Sequence, residues 1–233
     1  MNSVSTNSMR PYVIINAAMS ADGKISTPLR RQTKISGTED FARMEKLRAE
    51  SDAVLVGIGT VRADNPSLRL KNEALKTERL EKGLPAEPAR VVVDSRAEFP
   101  DDSDMFIKGS GRIIVAVSEA ADKARVEALS KRVTVVTAGK TSVDMALLLD
   151  KLGELGIRQL MIEGGASILW SVMSQRLFDE IRIYVGAVII GGKTSPTFAD
   201  GDGFTNPDEF PRLTLKSAER FDDGILLTWL KKE

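Results

Sequence analysis

Short apolar runs separated by helix-patterned stretches fill the chain from residue 12 to about residue 175, and the pattern then changes. Tyr12 to Ala18 (YVIINAA) predicts a first buried strand that ends before an Asp22-Gly23 turn. Residues 26–37, rich in Thr, Arg and Pro, predict a loop. Thr38 stands in an N-cap position, with Phe41, Met44 and Leu47 at helical spacing as far as Glu50. The next run, AVLVG at 53–57, predicts a strand emptying directly into Gly59-Thr60. From 67 to 88 the chain is charged, weakly periodic and broken by Gly83, Pro85 and Pro88, which predicts a surface excursion.

Three more strand-like runs follow at 90–94, 112–117 and 133–137, with a helical pattern at 121–131 between the last two. Ser142 has the position of a cap for a helix carrying Val143, Ala146, Leu147 and Leu149, with Gly153 and Gly156 at its exit. LMIEGG then ends a strand, and Ala166 to Gln175 predicts a helix. After that EIRIYVGAVII, LTLKSAERF and GILLTWL are strands without intervening helices, which predicts antiparallel pairing. The expected fold class is α/β, with a mixed, mainly parallel sheet in one domain spanning 10–233. Residues 1–9 are polar and are expected to form a disordered extension.

Composition narrows the chemistry more than the fold. Lys+Arg and Asp+Glu balance at 33 each over 233 residues, so no basic field invites nucleic acid. An anionic ligand therefore needs a local cluster of donors. Cys and His are both absent, which excludes disulfides, thiolate or imidazole metal sites, and Ser-His-Asp catalysis. Acid–base work falls to carboxylates, Lys, Tyr or water. Hydride transfer fits that inventory, because a cofactor carries the hard chemistry. With no apolar run near the roughly 18 residues of a membrane span and no signal-like start, the expected location is the cytoplasm.

Two glycine-bearing turns are candidate anion sites. Gly57 to Pro66 (GIGTVRADNP) follows a strand and would open a helix near Thr60. Arg62 stands where a Rossmann fingerprint needs a third glycine, so a plain strand-to-helix turn is an equal reading. In Ile162 to Leu169 (IEGGASIL), Gly164-Gly165 leads into a helix whose N–H groups at Gly165, Ala166 and Ser167 could cradle a phosphate. A structural Gly-Gly turn remains the alternative. Glu163 beside it calls for a partner, either a substrate amino group or a Lys, unless it is simply solvated. Ser20-x-Asp22-Gly23-Lys24 and VIIGGKTSP at 188–196 are further turn-like motifs, open to a structural or a site role. Arg48, Arg62, Arg69 and Lys71 could hold a phosphate if two or three converge. The two Trp are expected to pack.

Taken in order, PYVIINAAMSADGKIS, ISG, LRAESDAVLVGIGTVRADNPSLRLK, RVVVDSR and IEGGASILWSVM resemble the reductase family of riboflavin biosynthesis, from about Pro11 to the C-terminus. The resemblance implies a three-layer dihydrofolate-reductase-like fold and NADPH-dependent reduction of a ribosylamino-pyrimidine 5′-phosphate to its ribityl form. It also implies a cofactor site at Ala18, Thr60, Asp64, Ser95 and Gly164–Ser167 (Gly165 and Ala166 between them). Arg96 next to Ser95 is the candidate for the cofactor 2′-phosphate. The substrate side would be Arg48, Leu68, Lys71 and Glu163, and the candidates for proton delivery are Glu163, Asp64, Lys71 or water.

Bacterial two-domain members carry a zinc deaminase ahead of the reductase, and usually Arg at the Lys71 position. Lys keeps the charge but not the bidentate geometry. Without that domain the chain resembles stand-alone archaeal and fungal reductases, implying the 2,5-diamino substrate rather than its deaminated 5-amino analogue. The resemblance also implies a homodimer, no metal, and no nucleic-acid or membrane partner. The rival readings are a dihydrofolate or other pteridine reductase of the same fold, and a non-catalytic nucleotide-binding regulator.

Overall fold

The computed structural model describes residues 10–31 and 33–232, so the extension expected at 1–9 lies outside the described residues. The chain runs β1 (Tyr12–Ser20), α1 (Thr38–Glu50), β2 (Ala53–Gly57), α2 (Ile58–Asp64), α3 (Glu73–Glu81), β3 (Ala89–Val93), α4 (Asp104–Ile107) and β4 (Ile113–Val117). It continues through α5 (Lys123–Ser130), β5 (Thr134–Thr137), α6 (Met145–Glu154), β6 (Gln159–Gly164), α7 (Ala166–Ser174) and β7 (Glu180–Gly186). A 3₁₀ turn (Pro207–Glu209), β8 (Leu213–Phe221) and β9 (Gly224–Lys231) complete it.

Among the described residues nine strands form one sheet in the order β5-β4-β3-β2-β6-β1-β7-β9-β8. The pairs from β5 to β7 are parallel, and β7–β9 and β9–β8 are antiparallel. This is the mixed, mainly parallel sheet that the strand pattern predicts. Strands such as AVLVG and IIVAV are buried along their whole length because helices cover both faces. On one face Ile15, Leu55, Val91 and Ile162 pack with Leu148, Leu149 and Leu152 of α6 and Leu169 and Val172 of α7. On the other, Val54, Val92 and Val115 pack with Val61 of α2 and Leu129 of α5, while Leu47 of α1 meets Ile14 and Met161.

Several boundaries differ from the sequence expectation, each for a physical reason. β1 continues to Ser20 because β7 supplies a partner through Ser20↔Gly186. β7 itself ends at Gly186 rather than running to residue 190, and Ile189 is 81% exposed. The cap of α6 is Asp144, not Ser142: its side chain accepts the N–H of Leu147. The 67–88 excursion contains α3, capped by Asn72. Arg79 of α3 is buried, donating to the carbonyls of Ala49, Ser51 and Pro85. The Ala49 and Ser51 carbonyls lie at the C-terminal end of α1, so one long cation closes the end of another helix while also binding the loop after α3.

Thr38 is the first residue of α1 rather than its cap, and Gly37 at the cap position offers no side chain. The acceptor comes from Asp222, in the turn between β8 and β9, whose two oxygens receive the N–H groups of Glu39 (3.1 Å) and Asp40 (3.0 Å). Tyr184 donates to the neighbouring Asp223 at 3.1 Å, fixing the same turn to β7. Removing a capping acceptor typically costs about 1 kcal/mol. Asp222→Ala is therefore expected to lower the melting temperature by about 2–4 °C, the shift per kcal/mol for a chain of this size. A thermal melt followed by circular dichroism reads it; an unchanged midpoint would show that the cap contributes nothing.

Candidate active site

The carboxyl ends of β1, β2, β3 and β6 open into a cleft of about 1100 Å³. Strand order explains its place. The chain steps outward through β2, β3, β4 and β5, then β6 returns between β2 and β1. The helix after β2 packs on one face and the helix after β6 on the other, so their N-termini part around a crevice. Open α/β sheets bind ligands at such a reversal.

Two turns form its middle wall. β2 passes through Gly57 into α2, and β6 passes through Gly164-Gly165 into α7. Gly165 has φ +89, a conformation that side chains rarely adopt. A Cβ there would lie 3.4 Å from Ile168 Cγ1, 3.7 Å from Thr60 Oγ1 and 3.8 Å from the Gly57 nitrogen. The turns thus face each other across a space that a single methyl group would begin to fill. The first N–H groups of α7, at Ala166 and Ser167, have no intrahelical acceptor by position, and a helix start favours negative charge. This arrangement suits the pyrophosphate of a dinucleotide.

Glu163 owes its orientation to a bulge. β2 and β6 pair Leu55 with Ile162 and then Val56 with Gly164, so Glu163 is the extra residue at the shift. Its two oxygens accept the Nε and Nη2 hydrogens of Arg48 from α1, a bidentate pair with side chains 13% (Arg48) and 10% (Glu163) exposed. Arg48 also donates to the carbonyl of Arg69 at 3.4 Å. Burial opposes the charge of Arg48, but the pull of Glu163, with Glu45 adding, carries its pKa above the ordinary value. The partner of Glu163 is therefore an arginine, where the sequence pointed to a Lys or a substrate amino group.

The cleft wall includes Ala18, Thr60, Asp64, Ser95, Arg96 and Gly164 to Ser167, along with Glu163. Asp64 is an exposed residue at the end of α2. The Ser95 hydroxyl accepts the Val143 N–H at 3.0 Å, fixing the turn after β3, and Arg96 is exposed. Three sequence candidates, Arg48, Leu68 and Lys71, are not among the residues that line the cleft. Leu68, with φ +52 and 2% exposure, packs in the core beside Val54 and Val92. Lys71 does not line the cleft; its backbone N–H donates to Glu45. Of the four basic residues considered from sequence, Arg48 is bound to Glu163 and Arg62 to Glu98.

The two remaining motifs meet beside the cleft. Asp22 accepts the N–H groups of Ile190 (3.0 Å) and Gly191 (2.7 Å), tying VIIGGKTSP to the end of β1. The Ser20 hydroxyl, with the Ile190 N–H next, lowers its carboxyl to about 2. Trp170 packs on Phe204, ring centroids 5.0 Å apart, and holds the following loop on α7.

The sequence reading passed over Asp94, Arg30 and Arg31, all of which line the cleft. Asp94 is 1% exposed, and its Oδ2 has no hydrogen-bond partner among the described residues. Burial raises its pKa against the pull of the Glu98 and Arg96 backbone N–H groups. The available signal was a carboxylate closing the apolar run RVVVD. Arg30 and Arg31 sit in a loop whose position only the strand order reveals.

Residues 11–227 match the family model described as the RibD C-terminal domain. The chain is 43% identical over 220 residues to a protein of Archaeoglobus fulgidus named 2,5-diamino-6-ribosylamino-4(3H)-pyrimidinone 5′-phosphate reductase, covering 94% of this chain and 98% of the relative. A protein of the same name from Methanothermobacter thermautotrophicus is 39% identical, over 96% of this chain and all of the relative (100%). A pyrimidine reductase-like protein from Corynebacterium diphtheriae superposes with a TM-score of 0.82 at 21% identity, over 96% of this chain and 92% of that one. That similarity speaks for the dihydrofolate-reductase-like fold, and the sequence matches speak for descent. The chain belongs to the RibD C-terminal domain family.

Proposed function

We propose that this chain catalyses the NADPH-dependent reduction of the ribosyl side chain of 2,5-diamino-6-ribosylamino-4(3H)-pyrimidinone 5′-phosphate in riboflavin biosynthesis. The observation that carries this reading is the facing of the two glycine turns, Gly57–Thr60 and Gly164–Ser167, across the cleft at the carboxyl edge of the sheet. Full-length similarity to reductases of that name supports the substrate.

Thr60, Gly165, Ala166 and Ser167 would hold the pyrophosphate, and Ser95 and Arg96 the adenosine end with its 2′-phosphate. Bound there, the nicotinamide supplies the hydride that reduces C1′ of the opened sugar or its imine. Ala17 and Ala18 at the end of β1 leave room for a flat ring against the strand. Arg48, fixed by Glu163, would stand on the substrate side, and holding the hydride donor and acceptor in register is what can contribute about 7–11 kcal/mol. With both Glu163 oxygens engaged, its part is to orient Arg48, and the proton comes from water or Asp64. The strand-only end, where Leu213, Leu215 and Ile225 are exposed, is the face through which the chain would pair with a second copy.

The test is oxidation of NADPH, and in parallel NADH, with the diamino substrate, its deaminated analogue and dihydrofolate. The expected result is turnover of the diamino compound well above the other two, with NADPH preferred. Preference for the deaminated compound would correct the substrate, and activity on dihydrofolate alone would overturn the reading.

A further inference from the structure

The cleft has to accommodate two separate groups of phosphates if the proposed function holds, one on the cofactor and one on the substrate. The net charge of the chain gives no general attraction for either, because Lys+Arg and Asp+Glu balance at 33 each. The anion donors are therefore local. Four arginines line it: Arg30, Arg31, Arg62 and Arg96. Arg62 is spent on Glu98. Arg96 follows β3, next to the turn assigned to the adenosine end. Arg30 and Arg31 lie on the loop after β1, and neither has an acidic partner among the described residues.

The two ends are well separated. From β3 to β1 the sheet crosses β2 and β6, three strand spacings in all. At about 4.8 Å each this is roughly 14 Å. The strands that lead to Arg96 and to the Arg30–Arg31 loop thus stand on opposite sides of β2 and β6, which carry the two glycine turns. The Arg30–Arg31 loop is also held by its own backbone. Ser26 and Thr33 hydroxyls both donate to the Arg31 carbonyl, at 2.8 and 3.0 Å, and the Arg30 N–H donates to Thr27 at 2.9 Å. The main chain is fixed while both guanidinium groups remain exposed at the wall. Lys71, the cation that family resemblance put on the substrate side, lies outside that wall.

We infer that Arg30 and Arg31 form the clamp for the phosphate monoester of the substrate, at the end of the cleft opposite the cofactor 2′-phosphate. The inference rests on the proposed reductase reading for the identity of the substrate, but not for the binding of a sugar phosphate. Two adjacent guanidinium groups offer paired donors that fit phosphate oxygens, which a single Lys does not.

The test uses the full chain saturated with NADPH, titrated calorimetrically with ribose 5-phosphate and with ribose, alongside steady-state kinetics. In Arg30→Ala/Arg31→Ala, affinity for ribose 5-phosphate and the KM for the phosphorylated pyrimidine are expected to weaken about 10- to 100-fold, the loss of hydrogen bonds to a charged group. The Kd for NADPH should stay within twofold, and Arg30→Lys/Arg31→Lys should recover part of the loss. A wild type that binds ribose 5-phosphate no better than ribose would overturn the inference. So would a double variant whose Kd for NADPH rises instead, which would give the pair to the cofactor. Arginine-dependent binding of ribose 5-phosphate without turnover of any pyrimidine would leave the clamp standing and defeat the proposed function.

Discussion

Glu163→Gln is expected to lower stability by about 3 kcal/mol and kcat/KM by about two orders of magnitude. Both effects follow from the same pair. Arg48 and Glu163 are held bidentately with 13% and 10% of their side chains exposed. Removing one partner of a buried ion pair leaves the other charge uncompensated, which costs about 3–5 kcal/mol. At 2–4 °C per kcal/mol the melting temperature should fall by about 6–12 °C. A guanidinium released from its carboxylate no longer holds a fixed approach, and misplacement of about 1 Å can cost 10²-fold in rate. Arg48→Met/Glu163→Leu separates the two effects. It should regain much of the lost stability, since well-packed apolar replacements of a buried pair are often neutral, yet remain inactive. Chemical denaturation and steady-state kinetics on the three proteins measure this. A Glu163→Gln protein of normal stability, slower than wild type and without the alkaline limb of its pH–rate profile, would return the carboxylate to proton delivery.

Gly165→Val should abolish measurable NADPH binding, with affinity reduced more than 100-fold. At φ +89 a β-branched residue is strained, at a cost of about 1–3 kcal/mol. The larger effect is steric. The first added carbon already sits 3.4 Å from Ile168 and 3.7 Å from Thr60, and the two further methyl groups would occupy the gap between the turns. Fluorescence titration with NADPH measures the affinity, and a melt without cofactor measures the strain separately. If the folded variant binds NADPH like wild type, the pyrophosphate lies elsewhere.

The sequence made the sheet legible because its strands are buried on both faces. AVLVG, RIIVAV and LMIEGG are short apolar runs that end in glycine or a polar residue, and each is a strand. The strand-only ending was legible because no helical period separates its three runs. Caps were misread where the acceptor is remote: Gly37 has no side chain to offer, and Asp222 lies 182 residues beyond Asp40.

The site was legible as far as local motifs reach. Gly-Gly before a helix and Gly-x-Gly-Thr after a strand announce anion cradles individually. Their facing arrangement depends on β6 inserting beside β2, which no local pattern encodes. The bulge that turns Glu163 toward Arg48 is likewise a property of paired strands. Arg48, Leu68 and Lys71 come to the substrate side by resemblance alone: Leu68 packs in the core, and none of the three is among the residues that line the cleft.

The position of β1 also sets the order in which a growing chain can complete itself. Its neighbours are β6 and β7, made about 140 residues or more later, whereas β2, β3 and β4 each pair with their immediate successors. A nascent chain halted before residue 159 has both edges of β1 and one edge of β2 unsatisfied, and unpaired edges invite association between chains. The cap on α1 arrives later still, with Asp222. A ribosome must therefore reach Gly186 before the first strand has both partners, so a stop codon ahead of β6 is expected to leave an aggregation-prone fragment rather than a weakened enzyme.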